Sequence, residues 1–421
     1  MGKRLRHVHG YLTVGRLLAL ACVAVLAVVG AANAAADKPG HHQPVGAVYT
    51  ESNSPAGNSV AVFDRYDDGT LALRQKVSTG GKGSLQSVGC GPGCPILDSQ
   101  NEVVVSDNGK HVFAVNAGSN TVSSFRETEH GLQLVDQASS GGIMPESIAL
   151  HDHVLYVLNV ATGNANGTTG NIYGLRISHH GQLSPLGSSQ PLAHAAPPDH
   201  SADPRAIGFD HDGKVIVVTE IAAGFMGPGP PGAIDTFVIG HNDQAGPAVS
   251  HPVSDALPFG FAIDGKDRLV LSQLHGLDPG TIGSVSTYQL SNSGGVTPID
   301  TKPSGGTLPC WVVVTGDNRV AYVVNTGAGA PAPVNGFGLG NHGALTPLSP
   351  AAGSTSGEFA RTDEALSRDS KYLYVLAPQV GPGAPSHIDE YSVNRDGSLR
   401  LIGATPASAN LGIGASGVAA T

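Results

Sequence analysis

One unit recurs along this chain: a short apolar run, a tight polar turn, a β-branched run, a Gly/Pro-rich loop and one or two further strands. Residues 203–239 show it most clearly. Positions 206–209 are mostly apolar, Asp210-His211-Asp212-Gly213 supplies a turn, and a β-branched run at 215–219 ends on Glu220; a third strand pattern follows at 234–239. Residues 102–137 repeat it with four strands, at 102–106, 111–116, 121–126 and 132–137. Inner runs begin again near Glu146, Arg205, Phe259, Cys310 and Asp363. A spacing of about 45–59 residues with four strands per unit is the signature of propeller blades. The 58 Gly and 29 Pro, with 13% charged and 5% aromatic residues, suit short strands and turns. Outside the N-terminus no stretch has clean helical spacing.

The first unit (48–50, 60–63 and 71–77) lacks an inner strand, whereas Ala415-Ser416-Gly417-Val418-Ala419-Ala420 matches the inner-strand pattern of residues 146–150. The expected fold is therefore all-β: a seven-bladed β-propeller over residues 47–421, with a C-terminal strand that closes blade 1 and removes two open edges. Strand order then puts short turns on one face, the bottom. Long Gly/Pro loops fall on the other, at 80–100, 160–170, 188–204, 221–232, 273–283, 326–334, 349–362 and 378–386. Long loops on one rim of a rigid scaffold are where function usually sits.

Residues 1–36 read as an export signal. Lys3, Arg4, Arg6 and Arg16 precede the apolar run 17–29, and Ala32-Asn33-Ala34 or Ala34-Ala35-Ala36 offers a cleavage site. A retained anchor is the alternative, for which the apolar run is short. Residues 37–46 read as a flexible leader. The expected product is secreted or extracytoplasmic, monomeric, and free of the membrane once cleaved. Losing those four cations from 23 Lys+Arg leaves 19 against 33 Asp+Glu, a net charge of −14. With no basic patch, nucleic acid is not an expected partner. An exported chain can keep disulfides, and Cys90-Gly91-Pro92-Gly93-Cys94 allows a turn that brings two cysteines within bridging range. The expected pairing is Cys90–Cys94; Cys22 lies in the signal, and Cys310 is then a buried free thiol beside Trp311. A nucleophilic Cys310 is the alternative, without a His nearby in sequence.

The second-strand ends Phe113-Ala114-Val115-Asn116, Tyr156-Val157-Leu158-Asn159 and Tyr322-Val323-Val324-Asn325 resemble YVTN-type repeats. Together with turns such as Ser367-Arg368-Asp369-Ser370-Lys371, they make nearly all of 47–421 similar to the lactonase-type seven-bladed propellers. That family includes 6-phosphogluconolactonases, carboxymuconate cyclases and many exported members with no assigned reaction. The cyclases use an Arg and a Glu on the inner and second strands of one blade, with a His and a second Arg. The resemblance places Arg205 and Glu220 at the first two positions. Met144-Pro145-Glu146-Ser147 stands where the His would be, and Leu257-Pro258-Phe259-Gly260 where the second Arg would open blade 5.

Read from the residues themselves, Arg205 and Glu220 pair across a hairpin, which is expected to set both side chains on one face with Cβ atoms about 5 Å apart. An Arg there can hold a substrate carboxylate bidentately, and a desolvated Glu can act as general base. Asn116, Asn159, Gln273 and Asn325 end other second strands as neutral amides. The alternative is a structural ion pair that closes the hairpin. His200, in the loop before the same blade, is either a replacement imidazole or an exposed loop residue. Glu146 lines the mouth or caps its strand. Of the 18 histidines, His130, His179, His180, His241 and His342 occupy turns on different blades, and no metal-ligand spacing stands out. No metal or cofactor is expected, nor is a nucleophile elbow or P-loop found. Two function classes follow. One is an exported lactone-ring hydrolase or cyclase on a small carboxylated substrate, with Glu220, Arg205 and His200 as its catalytic residues. The other is a non-catalytic propeller whose top loops bind a cell-envelope ligand or protein.

Overall fold

The computed structural model describes residues 43–84, 97–160, 170–195, 203–221, 231–276, 280–327, 333–348, 361–379 and 385–421. The expected signal segment, the Cys90–Cys94 pairing and His200 lie outside them. Within them, strands form seven four-stranded antiparallel sheets. Six sheets are meanders in chain order. In the seventh, the C-terminal strand Ser416–Ala420 pairs with Gly46–Glu51 and becomes the inner strand of blade 1. The expected fold and its closure are both present, and the first strand starts within the expected leader, at Gly46.

The second strand of each blade is covered on both faces, which is why it reads as a continuous apolar run. All six residues of Val154–Asn159 and of Val215–Glu220 are buried. Outer strands such as Leu71–Ser78 are mostly exposed or half-buried. The core lies between blades: Tyr156, Leu158, Ile207, Ile216, Val218 and Phe237 pack together where blades 3 and 4 meet.

The repeat sequence has a mechanical meaning. Tyr156 donates its hydroxyl proton to the Asp243 carbonyl of the next blade at 2.8 Å, Tyr322 to Gly397 at 2.9 Å and Tyr374 to Gly69 at 3.0 Å. Where that Tyr is missing, a third-strand hydroxyl makes the same stitch: Ser124 to Gly181 at 2.6 Å, Thr236 to Gly294 at 2.8 Å and Thr287 to Gly343 at 2.6 Å. The closing Asn works at the other end of the strand. Asn159 donates to the Ser140 carbonyl at 2.8 Å, and Asn325 to Pro333 at 3.2 Å, and so each ties down a connection.

The central channel is plugged. Residues 97–102, ahead of the inner strand of blade 2 (Val103–Val105), run across it with Asp98 and Asn101 at φ of 60° and 66°. The Ser99 hydroxyl donates to the Arg205 carbonyl at 2.6 Å, Gln100 donates to Val312 O at 2.8 Å, and its Oε1 accepts from Val312 N at 3.3 Å. Trp311 donates its indole N–H to Ser99 O. Below lies a cavity of about 370 Å³ lined in part by Gln100, Asn101, Phe209, Phe261 and Leu366. Gln100→Leu strands a buried backbone carbonyl and N–H, and an orphaned buried polar group costs ~1–3 kcal/mol. Urea unfolding should show a loss of that order; an unchanged midpoint means the plug does not brace the ring.

Candidate active site at the top of the hub

The inner strands carry a β-bulge at their upper ends, and the bulges build the site. In blade 4, Pro204 pairs with Glu220 and Ala206 with Thr219, so Arg205 is an extra residue without a partner across the ladder. The same slip isolates Glu146 between Pro145 and Ser147, Cys310 between Pro309 and Trp311, and Asp363 between Thr362 and Glu364. A bulge re-aims the extra side chain. Proline fits just before it because it has no N–H to give the ladder.

Arg205 is fully buried. Its Nη2 donates to both carboxylate oxygens of Asp203 at 2.8 Å, Asp98 lies 3.5 Å from Nη1, and the guanidinium stacks 5.3 Å from the Phe259 ring centre. Asp203 lies just ahead of the strand at a φ of 41°, and that turn together with the bulge brings its carboxylate back onto Arg205. Glu146 is also fully buried, and neither of its oxygens finds a hydrogen bond. Burial holds its carboxyl well above the ordinary range; Arg205 pulls it down, while Asp203 and Asp98 push it up. Asp98 is pushed up to about 6, chiefly by burial and against the pull of Arg205. Cys310 is buried and unbridged, and burial raises its thiol, which removes the thiolate a nucleophile needs.

Glu220 turns elsewhere. Its Oε2 lies 2.6 Å from Nδ1 of His194, and no ion pair joins it to Arg205. The expected face-to-face Arg205–Glu220 pair is thus corrected by the bulge: Pro204, not Arg205, stands opposite Glu220. His194 sits in a 3-10 turn (Ala193–Ala195), anchored because Ala193 N donates to Asp235 Oδ2 at 2.8 Å. The side chain of His194 is 18% exposed and that of Glu220 is not exposed at all, so the imidazole is the half of the pair that reaches solvent. Burial, with Asp235 adding to it and the His194 bond opposing it, pushes Glu220 up to about 8. Nor is Glu220 alone among second-strand ends. Glu51 holds the equivalent place in blade 1, buried and accepting from Asn58 Nδ2 at 3.0 Å.

Residues 56–195 match the family described as lactonase, 7-bladed beta-propeller. The chain is a seven-bladed β-propeller, and a third of it matches the lactonase propeller family. A periplasmic gluconolactonase of Pseudomonas aeruginosa superposes with a TM-score of 0.62 at 14% identity, over 89% of this chain and 99% of that one. A candidate 6-phosphogluconolactonase of Bacteroides uniformis gives 0.59 at 17% identity, over 85% and 95%. At such identities these likenesses speak for fold. No curated protein sequence matches the chain.

In this propeller, sequence reasoning singled out Arg205, Glu220 and Glu146 but missed His194, Asp203 and Asp98 as their partners. A usable signal was present. The residue after an inner-strand proline is the one aimed at the hub, at Pro145-Glu146, Pro204-Arg205 and Pro309-Cys310.

Proposed function

We propose that the chain is an exported lactone-ring hydrolase whose proton carrier is His194, held and polarised by Glu220. The 2.6 Å contact between a half-shielded imidazole and a fully buried carboxyl carries this reading. A base oriented by a second group is the arrangement that activates water for attack on an ester. The water oxygen bonds to the lactone carbonyl carbon, the ring C–O bond breaks, and the water proton passes through the imidazole to the departing ring oxygen. Glu146, kept protonated by burial, is placed in the hub to donate a hydrogen bond. Arg205 has a different role from the expected substrate anchor, because Asp203 already occupies its Nη2. Export is supported by the basic and apolar composition of residues 1–36 and by the periplasmic location given for the Pseudomonas neighbour. Among the described residues no helix is long and apolar enough to cross a membrane.

A panel of sugar and aliphatic lactones against wild type, Glu220→Gln and His194→Ala tests this. Loss of a positioned general base costs about 10²–10⁴ in rate, so both variants should drop kcat/KM by that order with thermal melts near wild type. Full turnover in either variant sinks the proposal. The full burial of Arg205 and Glu220 favours a second reading, a non-catalytic propeller that binds a cell-envelope ligand. That reading expects no lactone turnover in any variant.

A further inference from the structure

We propose that a cleft between blades 4 and 5 binds an uncharged glycosyl unit, independently of the Glu220–His194 pair. The outer strand of blade 4, Val249–Pro252, is four residues long, whereas that of blade 5, Val296–Thr307, is twelve. Between these blades lies a cavity of about 340 Å³, within the ~300–1,000 Å³ of small-molecule sites. It lies on the other side of blade 4 from His194. Neighbouring residues of a strand face opposite ways: Asp235 meets Ala193 N, while Ile234 lines the cleft and packs with Leu269 and Leu271 of blade 5.

No Asp, Glu, Lys or Arg is among the described residues that line this cavity. An ion entering it gives up water and meets no opposite charge, which selects an uncharged ligand. Hydrogen-bonding groups are concentrated on the blade 5 wall instead. Ser284, Ser286 and Tyr288 alternate along the third strand, Ile282–Leu290; Gln273, near the end of the second, stands opposite Ser284, and Thr301, on the fourth, opposite Ser286. Gln273, Ser284 and Ser286 are buried, Tyr288 is half-buried and Thr301 exposed.

This row of groups has a direction. Ser286 gives its proton to Gln273 Oε1, so its oxygen accepts from Thr301 Oγ1 at 2.8 Å. Gln273 Nε2 donates to the Tyr288 oxygen at 3.2 Å. His275 Nδ1 donates to the Asp255 carbonyl at 2.9 Å, which leaves its Nε2 to accept from Ser284 Oγ at 2.9 Å; that hydroxyl also lies 3.2 Å from Gln273 Oε1. What remains is an acceptor at Thr301, whose own proton is committed, and a donor at Tyr288, whose proton no described residue accepts. A hydroxyl both donates and accepts, so neighbouring hydroxyls on a ring can satisfy the two ends together. The remaining wall is apolar, with Pro252, Val253, Val296 and Pro298. A sugar ring has the matching character, hydroxyls around its edge and C–H bonds on its faces. An apolar ring of the same size displaces water from Tyr288 and Thr301 and returns no hydrogen bond.

The test is ligand-observed NMR titration of the full chain with methyl β-D-glucopyranoside, cellobiose, methyl β-D-glucuronide and cyclohexylmethanol, repeated on Tyr288→Phe, Thr301→Trp and His194→Ala. The two uncharged glycosides should bind about tenfold tighter than the glucuronide and the apolar alcohol. Tyr288→Phe removes the donor and should weaken glycoside binding about fivefold. Thr301→Trp, at an exposed position, should fill the cleft and abolish it, while His194→Ala should bind as wild type does. None of these probes is a lactone, so the outcome does not turn on lactone hydrolysis. No glycoside binding, or equal or tighter binding of the glucuronide or of cyclohexylmethanol, overturns the proposal. So does unchanged glycoside binding in either cleft variant that folds, or a loss in His194→Ala, which places the sugar at the hub. If Thr301→Trp fails to fold, Tyr288→Phe decides.

Discussion

Deleting residues 412–421 should abolish the cooperative melt of this protein or lower its midpoint by more than 10 °C, a shift that for a chain this size corresponds to several kcal/mol. The strand Ser416–Ala420 is the inner strand of blade 1, and its loss opens three contacts at once. Gly46–Glu51 loses its ladder partner, and Ala47 loses both the Thr421 hydroxyl at 2.8 Å and the Thr421 N–H at 2.9 Å. The hub loses Ser416 Oγ, which donates to Glu102 at 2.9 Å, and Val418 N, which donates to Asp363 at 2.7 Å. The core of the joint with blade 7 loses Ala415 and Val418, which pack with Tyr374 and Ile388. Burying one aliphatic side chain contributes ~1.5–3 kcal/mol, and a whole domain is stable by only ~5–15 kcal/mol. The exposed edge is also a template for pairing with another chain. Circular dichroism melts of the deletion variant, with and without a peptide of residues 412–421 added in trans, measure this. A wild-type melt without the peptide means that the ring does not depend on its closure.

The wheel was legible because its signals are local. β-branched runs and short polar turns recur from blade to blade, with Ser106, Asp210, Asp264 and Ser367 opening turns in blades 2, 4, 5 and 7; Asp210 Oδ1, for one, accepts from Lys214 N at 2.6 Å and from Val215 N at 3.0 Å. The missing inner strand of blade 1 and the matching pattern near the C-terminus implied closure in the same way. Side-chain aim was not legible. Regular hairpin pairing sets Arg205 beside Glu220, and a slip of one residue turns one toward Asp203 and the other toward His194. A slip of that kind arises where a proline withholds its N–H and the next blade offers a hub lined by backbone, which is a tertiary circumstance. His194 escaped for a related reason. Nothing in Leu192-Ala193-His194-Ala195 marks a site until Asp235, from the third strand of blade 4, captures Ala193 N. Glu51 was overlooked because the strand reads from sequence as 48–50, one residue short of the end of Gly46–Glu51.

Raising the pH should loosen the hub where the ring is closed. Glu102 meets Asp363 there, with Glu51 close enough to be felt, Ser416 donating to Glu102 Oε1 and Val418 N donating to Asp363 Oδ2. Burial and the Asp363 charge hold Glu102 well above the ordinary carboxyl range, and burial, opposed by backbone N–H bonds, pushes Asp363 up to about 7. Two buried carboxyls in contact cannot both ionise cheaply; they share a proton. The sign follows from where that proton is bound. The folded state keeps it to about pH 7 and beyond, while the unfolded chain releases it near pH 4, so the folded state holds more protons in between. The stabilisation is complete below the unfolded value and fades as pH rises through the folded one, by about 1.4 kcal/mol per pH unit for each proton. Glu51, Glu146 and Glu364 are raised in the same direction by burial, so the slope should exceed that of a single group. Urea midpoints should therefore fall steadily from pH 5 to pH 9. Glu102→Gln keeps a donor facing Asp363 but has no proton to lose. It should match wild type near pH 5 and exceed it at pH 9, with a shallower slope between. A variant whose slope equals that of the wild type would show that the pair ionises without strain, and that the seam is held by the C-terminal strand alone.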